Sequence, residues 1–206
     1  MVLGMRRAVA KLQRHQWGIW ELRTLLLDLR FGGLVGGQQE SRFRHLGSND
    51  VQSIPYRVIR DAMRGLAVTP EDVLVDVGCG LGRVINWWLN LGLANRMIGI
   101  ELDPDVAQRT RTRLAPFRNV SIITGDAADC TPDEATICLL FNPFGSNVMQ
   151  QWHASVVNRK WPNGLTVLYV NCQHLEVFQQ SNWWDVNVLP KNPVDYSEIA
   201  ILKLRT

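Results

Sequence analysis

Five apolar runs set the tightest constraint on this chain. They are Val73-Leu74-Val75-Asp76-Val77, Met97-Ile98-Gly99-Ile100-Glu101, Val120-Ser121-Ile122-Ile123, Thr136-Ile137-Cys138-Leu139-Leu140-Phe141 and Leu165-Thr166-Val167-Leu168-Tyr169-Val170. Each has strand length, and each is nearly continuous rather than alternating, as expected when both faces are buried. Helical stretches over about 81–92 and from Pro104 onward separate them, and a helix near 173–180 closes the fifth. Strands alternating with helices predict a doubly wound, mostly parallel α/β sheet. Val186–Leu189 and Ser197–Leu204 have no helix between them. They predict an antiparallel hairpin at the C-terminal edge, which brings the sheet to seven strands.

The chain of 206 residues, 46% of them hydrophobic, suits one such domain with an appendage. Residues 1–45 hold eight Lys or Arg and three acids, a balance of +5, against fourteen and sixteen, a balance of −2, in the rest. A near-neutral body disfavours a nucleic-acid binder, whose basic side chains would spread over one face. Leu12, Ile19, Leu22, Leu26 and Leu29 recur at helical spacing, so about residues 5–30 read as an amphipathic helix docked through that stripe. Arg6, Arg7, Lys11, Arg14 and Arg23 fall off the stripe, on a face for solvent, substrate or a membrane surface. The Arg-rich start resembles a transit peptide, but apolar residues continue in register beyond it. Residues 31–53 read as loop, and Pro55 opens a helix to about Gly65.

No apolar run approaches the roughly 18–20 residues of a membrane span. The four cysteines form no C-x-x-C pair and read as thiols of a cytoplasmic protein. Cys172 and His174 are two potential ligands, too few for a metal site, so no metal is expected.

The chemistry gathers at the carboxyl ends of the strands, where doubly wound sheets bind their ligands. Gly78, Gly80 and Gly82 follow the first strand and lead into a helix. A dinucleotide fingerprint needs a glycine at position 83, which is Arg83 here. Asp76, two residues before the glycines, would repel a pyrophosphate but suits a cationic ligand.

Val75-Asp76-Val77-Gly78-Cys79-Gly80-Leu81-Gly82-Arg83 resembles the first motif of the class I, seven-stranded S-adenosylmethionine-dependent methyltransferases. Glu101 with Leu102, Gly125-Asp126-Ala127, and Asn142-Pro143-Phe144-Gly145 follow in the family's order at successive strand ends. The last of these also resembles a branch of small bacterial methyltransferases. The resemblance covers about residues 50–204. It implies S-adenosylmethionine as cofactor, with Asp76 near its ammonium group and Gly78, Cys79 and Gly80 along its methionine part. Glu101, beside Leu102, would take the ribose hydroxyls, and Asp126 with the Ala127 backbone the adenine edge. Taken singly, Glu101 and Asp103 also fit helix-start carboxylates, and Asp126 a turn residue. The implied organisation is a helix-and-loop cap over 1–50 and a cofactor-binding methyltransferase domain over 51–206.

Asn142, Pro143 and Phe144 occupy the family's catalytic position. They resemble a shortened (Asp/Asn)-Pro-Pro-(Tyr/Phe) motif of amino-methylating enzymes, with one proline where that motif has two. The resemblance implies nitrogen methylation of a small molecule or protein side chain, with the Asn142 side-chain oxygen and the Pro143 carbonyl accepting from the target. Ser53-Ile54-Pro55-Tyr56 lies where seven-stranded lysine methyltransferases carry a Tyr-Pro segment. Oxygen methylation would want a general base, for which His174 and His45 are candidates. A catalytically silent cofactor- or partner-binding subunit is the other alternative. Arg83 reads as a helix-start or ion-pair residue, with a contact to the cofactor's carboxylate as the lesser alternative. Trp87-Trp88 and Trp183-Trp184 read as packing. Oligomeric state is not legible.

Overall fold

The computed structural model of the protein describes residues 18, 20–190 and 198–205. A seven-stranded sheet is built from β3 (Val73–Val77), β4 (Arg96–Glu101), β5 (Val120–Thr124), β6 (Ile137–Phe141), β7 (Thr166–Val170), β8 (Trp184–Val188) and β9 (Ile199–Leu204), in the order β5-β4-β3-β6-β7-β9-β8. The pairs from β5 through β7 are parallel, and β9 is antiparallel to both β7 and β8. The C-terminal hairpin forms as the missing helix predicted, with its second strand inserted between β7 and β8. Ser197, the expected start of that strand, lies outside the described residues.

Helices α2 (Tyr56–Ala62), α3 (Arg83–Asn90) and α4 (Pro104–Leu114) supply Ile59, Ile85, Trp88 and Leu114 to the core on one face. The short α5 (Ala127–Cys130), α6 (Ser146–Val157) and α7 (Glu176–Gln179) supply Ala127, Trp152 and Phe178 to the core on the other. Side chains alternate between these layers. Val75 and Val77 of β3 belong to the second core and Leu74 to the first, so Asp76 falls on the α2–α4 face. The chain runs outward from β3 to β5 and then returns to β6 beside β3. The β3 and β6 ends are therefore the switch point, where a crevice opens.

Residues 20–30 are helical (α1), but not in the predicted orientation. Leu22, Leu26 and Leu29 are each more than half exposed, while Asp28 and Phe31 are buried. Asp28 sets this rotation by pairing with Arg83 and accepting from Tyr56, and Phe31 packs on Phe117 with ring centroids 5.7 Å apart. Leu12, Ile19, Arg6, Arg7, Lys11 and Arg14 lie outside the described residues.

The segment read as loop contains a small antiparallel ladder, β1 (Gln38–Gln39) with β2 (Val51–Gln52), which straddles the expected boundary at residue 50. Among the described residues no helix is long and apolar enough to cross a membrane. Trp88 and Trp184 are buried, as packing residues should be, but Trp183 is 53% exposed.

Candidate active site

Beyond Val77 the chain turns through Gly78, Gly80 and Gly82 at φ 73, 51 and 74°, left-handed values that glycine adopts without a Cβ penalty. The turn is stitched to β4. Gly78 and Cys79 both donate to the Ile100 carbonyl at 2.9 Å, and Gly80 N–H donates to Glu101 Oε2 at 2.9 Å. Glu101 Oε1 accepts from Asp103 N at 2.9 Å, so the carboxylate is held at both oxygens yet keeps free lone pairs. Asp103 caps α4 by accepting from Asp105 N and Val106 N, with Pro104 in the first turn. Cys79 fills the space that Gly99 leaves open, since a Cβ on Gly99 would lie 2.8 Å from its Sγ.

Asp76 is buried at the end of β3, and its Oδ2 has no partner among the described residues. Burial, and secondarily the charge of Glu101, pushes its carboxyl well above the ordinary range. Burial likewise raises Glu101. Two such carboxylates in one crevice, one with a free oxygen, create a demand for a cation.

The crevice is a cleft of about 900 Å³, including its mouth. It brings together Asp76, Gly78, Cys79, Gly80, Glu101 and Leu102 from β3 and β4 with Asp126 and Ala127 after β5. Asp126 is exposed and also caps α5 by accepting from Ala128 N at 2.9 Å, so its structural role and its place in the cleft coexist. Pro143 and Phe144 line the opposite wall; Asn142 does not.

Asn142 takes the left-handed conformation at φ 43°, and its Oδ1 lies 3.5 Å from the Tyr169 hydroxyl. The loop it begins is held by a residue that no sequence motif singles out. Asn49 donates its backbone N–H to the Pro143 carbonyl at 3.0 Å, and its side-chain Nδ2 to the carbonyls of Asn142 and Phe144 at 2.8 and 3.0 Å. The Pro143 carbonyl, expected to accept from a target N–H, already accepts from Asn49 and keeps one further lone pair. Gly145 N–H donates to the Gly47 carbonyl at 2.8 Å, and Ser48 bridges Phe144.

The segment that carries Asn49 forms the outer wall of the cleft through Leu46, Ser48, Asp50 and Val51. Arg42 ties it to the far side by an ion pair with Asp103 at 2.8 Å, and Arg44 pairs with Asp50 at 2.5 Å, which holds the Asp50 carboxyl down at about 2. Ser53 and Ile54 also line the cleft. Neither candidate base does. His45 is exposed and stacks on Phe43, and His174 faces Glu176 with its Nδ1 at 3.8 Å. Arg83 forms the expected ion pair, with Asp28, and lines the cleft as well.

Residues 74–159 match the family described as a methyltransferase domain. No curated protein matches the chain. Among solved structures, the chain resembles an RNA methyltransferase from Salinibacter ruber in complex with S-adenosyl-L-homocysteine, with TM-score 0.58, 22% identity, and 74% of this chain and 93% of that one covered. It also resembles a precorrin-6y C5,15-methyltransferase from Geobacter metallireducens, with TM-score 0.56, 17% identity and coverage of 73% and 87%. A third is mitomycin 7-O-methyltransferase, with TM-score 0.60, 14% identity, 73% of this chain covered and only 54% of that one. The acceptors named for these three differ, so the shared fold does not specify one. Residues 74–159 thus resemble a methyltransferase domain in sequence, and the sheet that holds them has the Rossmann-like fold of these solved methyltransferases.

Proposed function

We propose that the protein transfers a methyl group from S-adenosylmethionine to a nitrogen of a small molecule or protein side chain. The observation that carries the cofactor is the partnerless Asp76 carboxylate buried beside the glycine turn, a fit for an ammonium group. Gly78 to Gly80 would lie along the methionine part. Glu101, with lone pairs left on both oxygens, would accept from the ribose hydroxyls. Leu102, Asp126 and Ala127 would border the adenine.

The cofactor supplies an electrophilic methyl on a sulfonium. The protein's work is then to place a nucleophile in line and exclude water. A nitrogen acceptor brings its own lone pair, whereas a hydroxyl needs a base, and both histidines lie off the cleft wall. Pro143 and Phe144 would cover the acceptor's face. Asn142 would set the loop's direction at the end of β6, and residues 1–50 would act as a cap over this side. A cytoplasmic setting suits the four unpaired thiols.

Calorimetry with S-adenosylhomocysteine and with NAD tests the cofactor. Glu101→Ala should weaken S-adenosylhomocysteine by about 10- to 100-fold, the range for hydrogen bonds to a charged group. Transfer of labelled methyl to a panel of amines, N-heterocycles and phenols tests the acceptor. Label on phenols alone overturns the nitrogen assignment, and binding of NAD without S-adenosylhomocysteine overturns the function.

A further inference from the structure

Among the described residues nine large apolar side chains are exposed, and five of them lie close together in the chain: Leu22, Leu25, Leu26, Leu29 and Leu34. The first four stand at i, i+3, i+4 and i+7, so they form one stripe along α1. Leu22, Leu26 and Leu29 are 57, 57 and 55% exposed. Trp20, Leu25, Leu34 and Pro55 continue the patch into a groove beside the start of α2. Single exposed leucines need no explanation, but a contiguous apolar patch marks a surface that is covered in use.

The stripe faces outward because the opposite side of α1 is locked. Asp28 is 2% exposed and accepts from Arg83 Nη2 at 2.6 Å, from the Tyr56 hydroxyl at 2.7 Å and from Val35 N–H at 3.3 Å. Rolling the helix to bury its leucines would strand the Arg83 charge without its partner, and breaking a buried ion pair in that way is strongly unfavourable. The leucines are therefore left for something outside the domain's own core.

Charge decides between the possible partners. Arg23 and Arg30, each three or four residues from Leu26, line one flank of the stripe and are exposed. Arg23 and Arg60 both stand over the Trp20 ring, at 5.6 and 4.9 Å from its centroid. The acids of α1 are Glu21 and the already paired Asp28, and residues 1–19 add Arg6, Arg7, Lys11 and Arg14 with no acid. A second copy laid on the stripe would meet these arginines with Glu21 as the one exposed acid of α1. An anionic bilayer answers both features, since leucines can enter the acyl boundary while arginines meet the headgroup phosphates. We infer that α1 and Leu34 seat the protein on an anionic membrane surface, with the helix lying in the plane of the headgroups.

Flotation of the full chain with vesicles tests this, using phosphatidylcholine alone and an equimolar mixture with phosphatidylglycerol. The wild type should bind the anionic vesicles at least about tenfold more tightly than the neutral ones, as cationic side chains at an anionic surface dictate. Raised salt should weaken that binding. Leu22→Gln/Leu26→Gln/Leu29→Gln should lower it at least about tenfold, because the apolar area that enters the bilayer is gone. Thermal unfolding of this variant should match the wild type, since the three side chains are exposed. Arg23→Glu/Arg30→Glu keeps the leucines and should lose at least about tenfold through charge alone, which gives a second reading if the leucine variant fails to fold. Equal binding to both kinds of vesicle, binding to neither, or full binding by either folded variant overturns the assignment. A dimer in light scattering that the leucine variant converts to monomer, with no vesicle binding, overturns it in favour of a second copy.

Discussion

Gly78 and Pro143 meet so closely that a Cβ added to the glycine would stand 2.5 Å from the Cβ of the proline. The contact joins the glycine turn after β3 to the loop after β6, the two adjacent strands at the switch point. It gives Gly78 a second reason to be glycine besides its φ of 73°. Gly78→Ala should therefore cost at least about 1–2 kcal/mol for the left-handed backbone alone, and cofactor affinity should fall further because Pro143 must move. Pro143→Gly in the same chain removes the opposing Cβ and should restore part of the affinity, whereas Pro143→Ala keeps that atom and should not. Equal behaviour of the two double variants in calorimetry would show that the contact is irrelevant.

Asn49 should matter to the transfer loop and not to the cofactor. Asn49→Asp is nearly isosteric, yet it places a carboxylate oxygen against the carbonyls of Asn142 and Phe144 where Nδ2 now donates. Two hydrogen bonds of about 0.5–1.5 kcal/mol each are lost. The left-handed Asn142 then loses the contacts that hold it in a sparsely populated conformation. Amide hydrogen exchange at Gly145, whose N–H is bonded to Gly47, should quicken, while β6 keeps its protection. S-adenosylhomocysteine affinity should stay within about threefold, and methyl transfer should drop at least about tenfold. Unchanged exchange at Gly145 would assign the loop's shape to something other than Asn49.

These residues also mark where the sequence stops being legible. The five parallel strands could be read because strands buried on both faces leave unbroken apolar runs, and the antiparallel pair because no helix separates it. The glycine turn and its acids could be read because each sits directly after such a run. Asn49 could not, because Gly47-Ser48-Asn49-Asp50 has only turn composition and its partners lie 93 and 95 residues away. The rotation of α1 was missed for a related reason. Its leucines form the better stripe, yet one buried acid with two partners outweighs them, and an ion pair spanning 55 residues leaves no local pattern. An acid interrupting an apolar helix, considered together with Arg83 as an ion-pair residue in need of a partner, was the available signal.

Asp76 offers a test that needs no acceptor. Burial and then Glu101 raise its pKa in the folded protein, so the fold favours its protonated form. A raised carboxyl contributes stability that is fully present below its unfolded value, near about 3.9, and is lost as pH rises through the folded pKa. Asp76→Asn should therefore leave the free protein more stable than wild type at neutral pH, by about 1–3 kcal/mol, the cost of a buried polar group without a partner. The difference should shrink toward acid, where the wild-type carboxyl is protonated. Ligand binding should show the opposite preference. An ammonium group favours the ionised carboxylate, so wild-type affinity for S-adenosylhomocysteine should climb as pH rises above the ordinary carboxylate range. Asp76→Asn should be weaker at neutral pH and show a flatter profile, with Glu101, raised in the same direction, accounting for any slope that remains. Thermal unfolding and calorimetry across that range measure both effects on one pair of proteins. A variant that is less stable when free, or that keeps the wild-type slope, would remove Asp76 from the ammonium site.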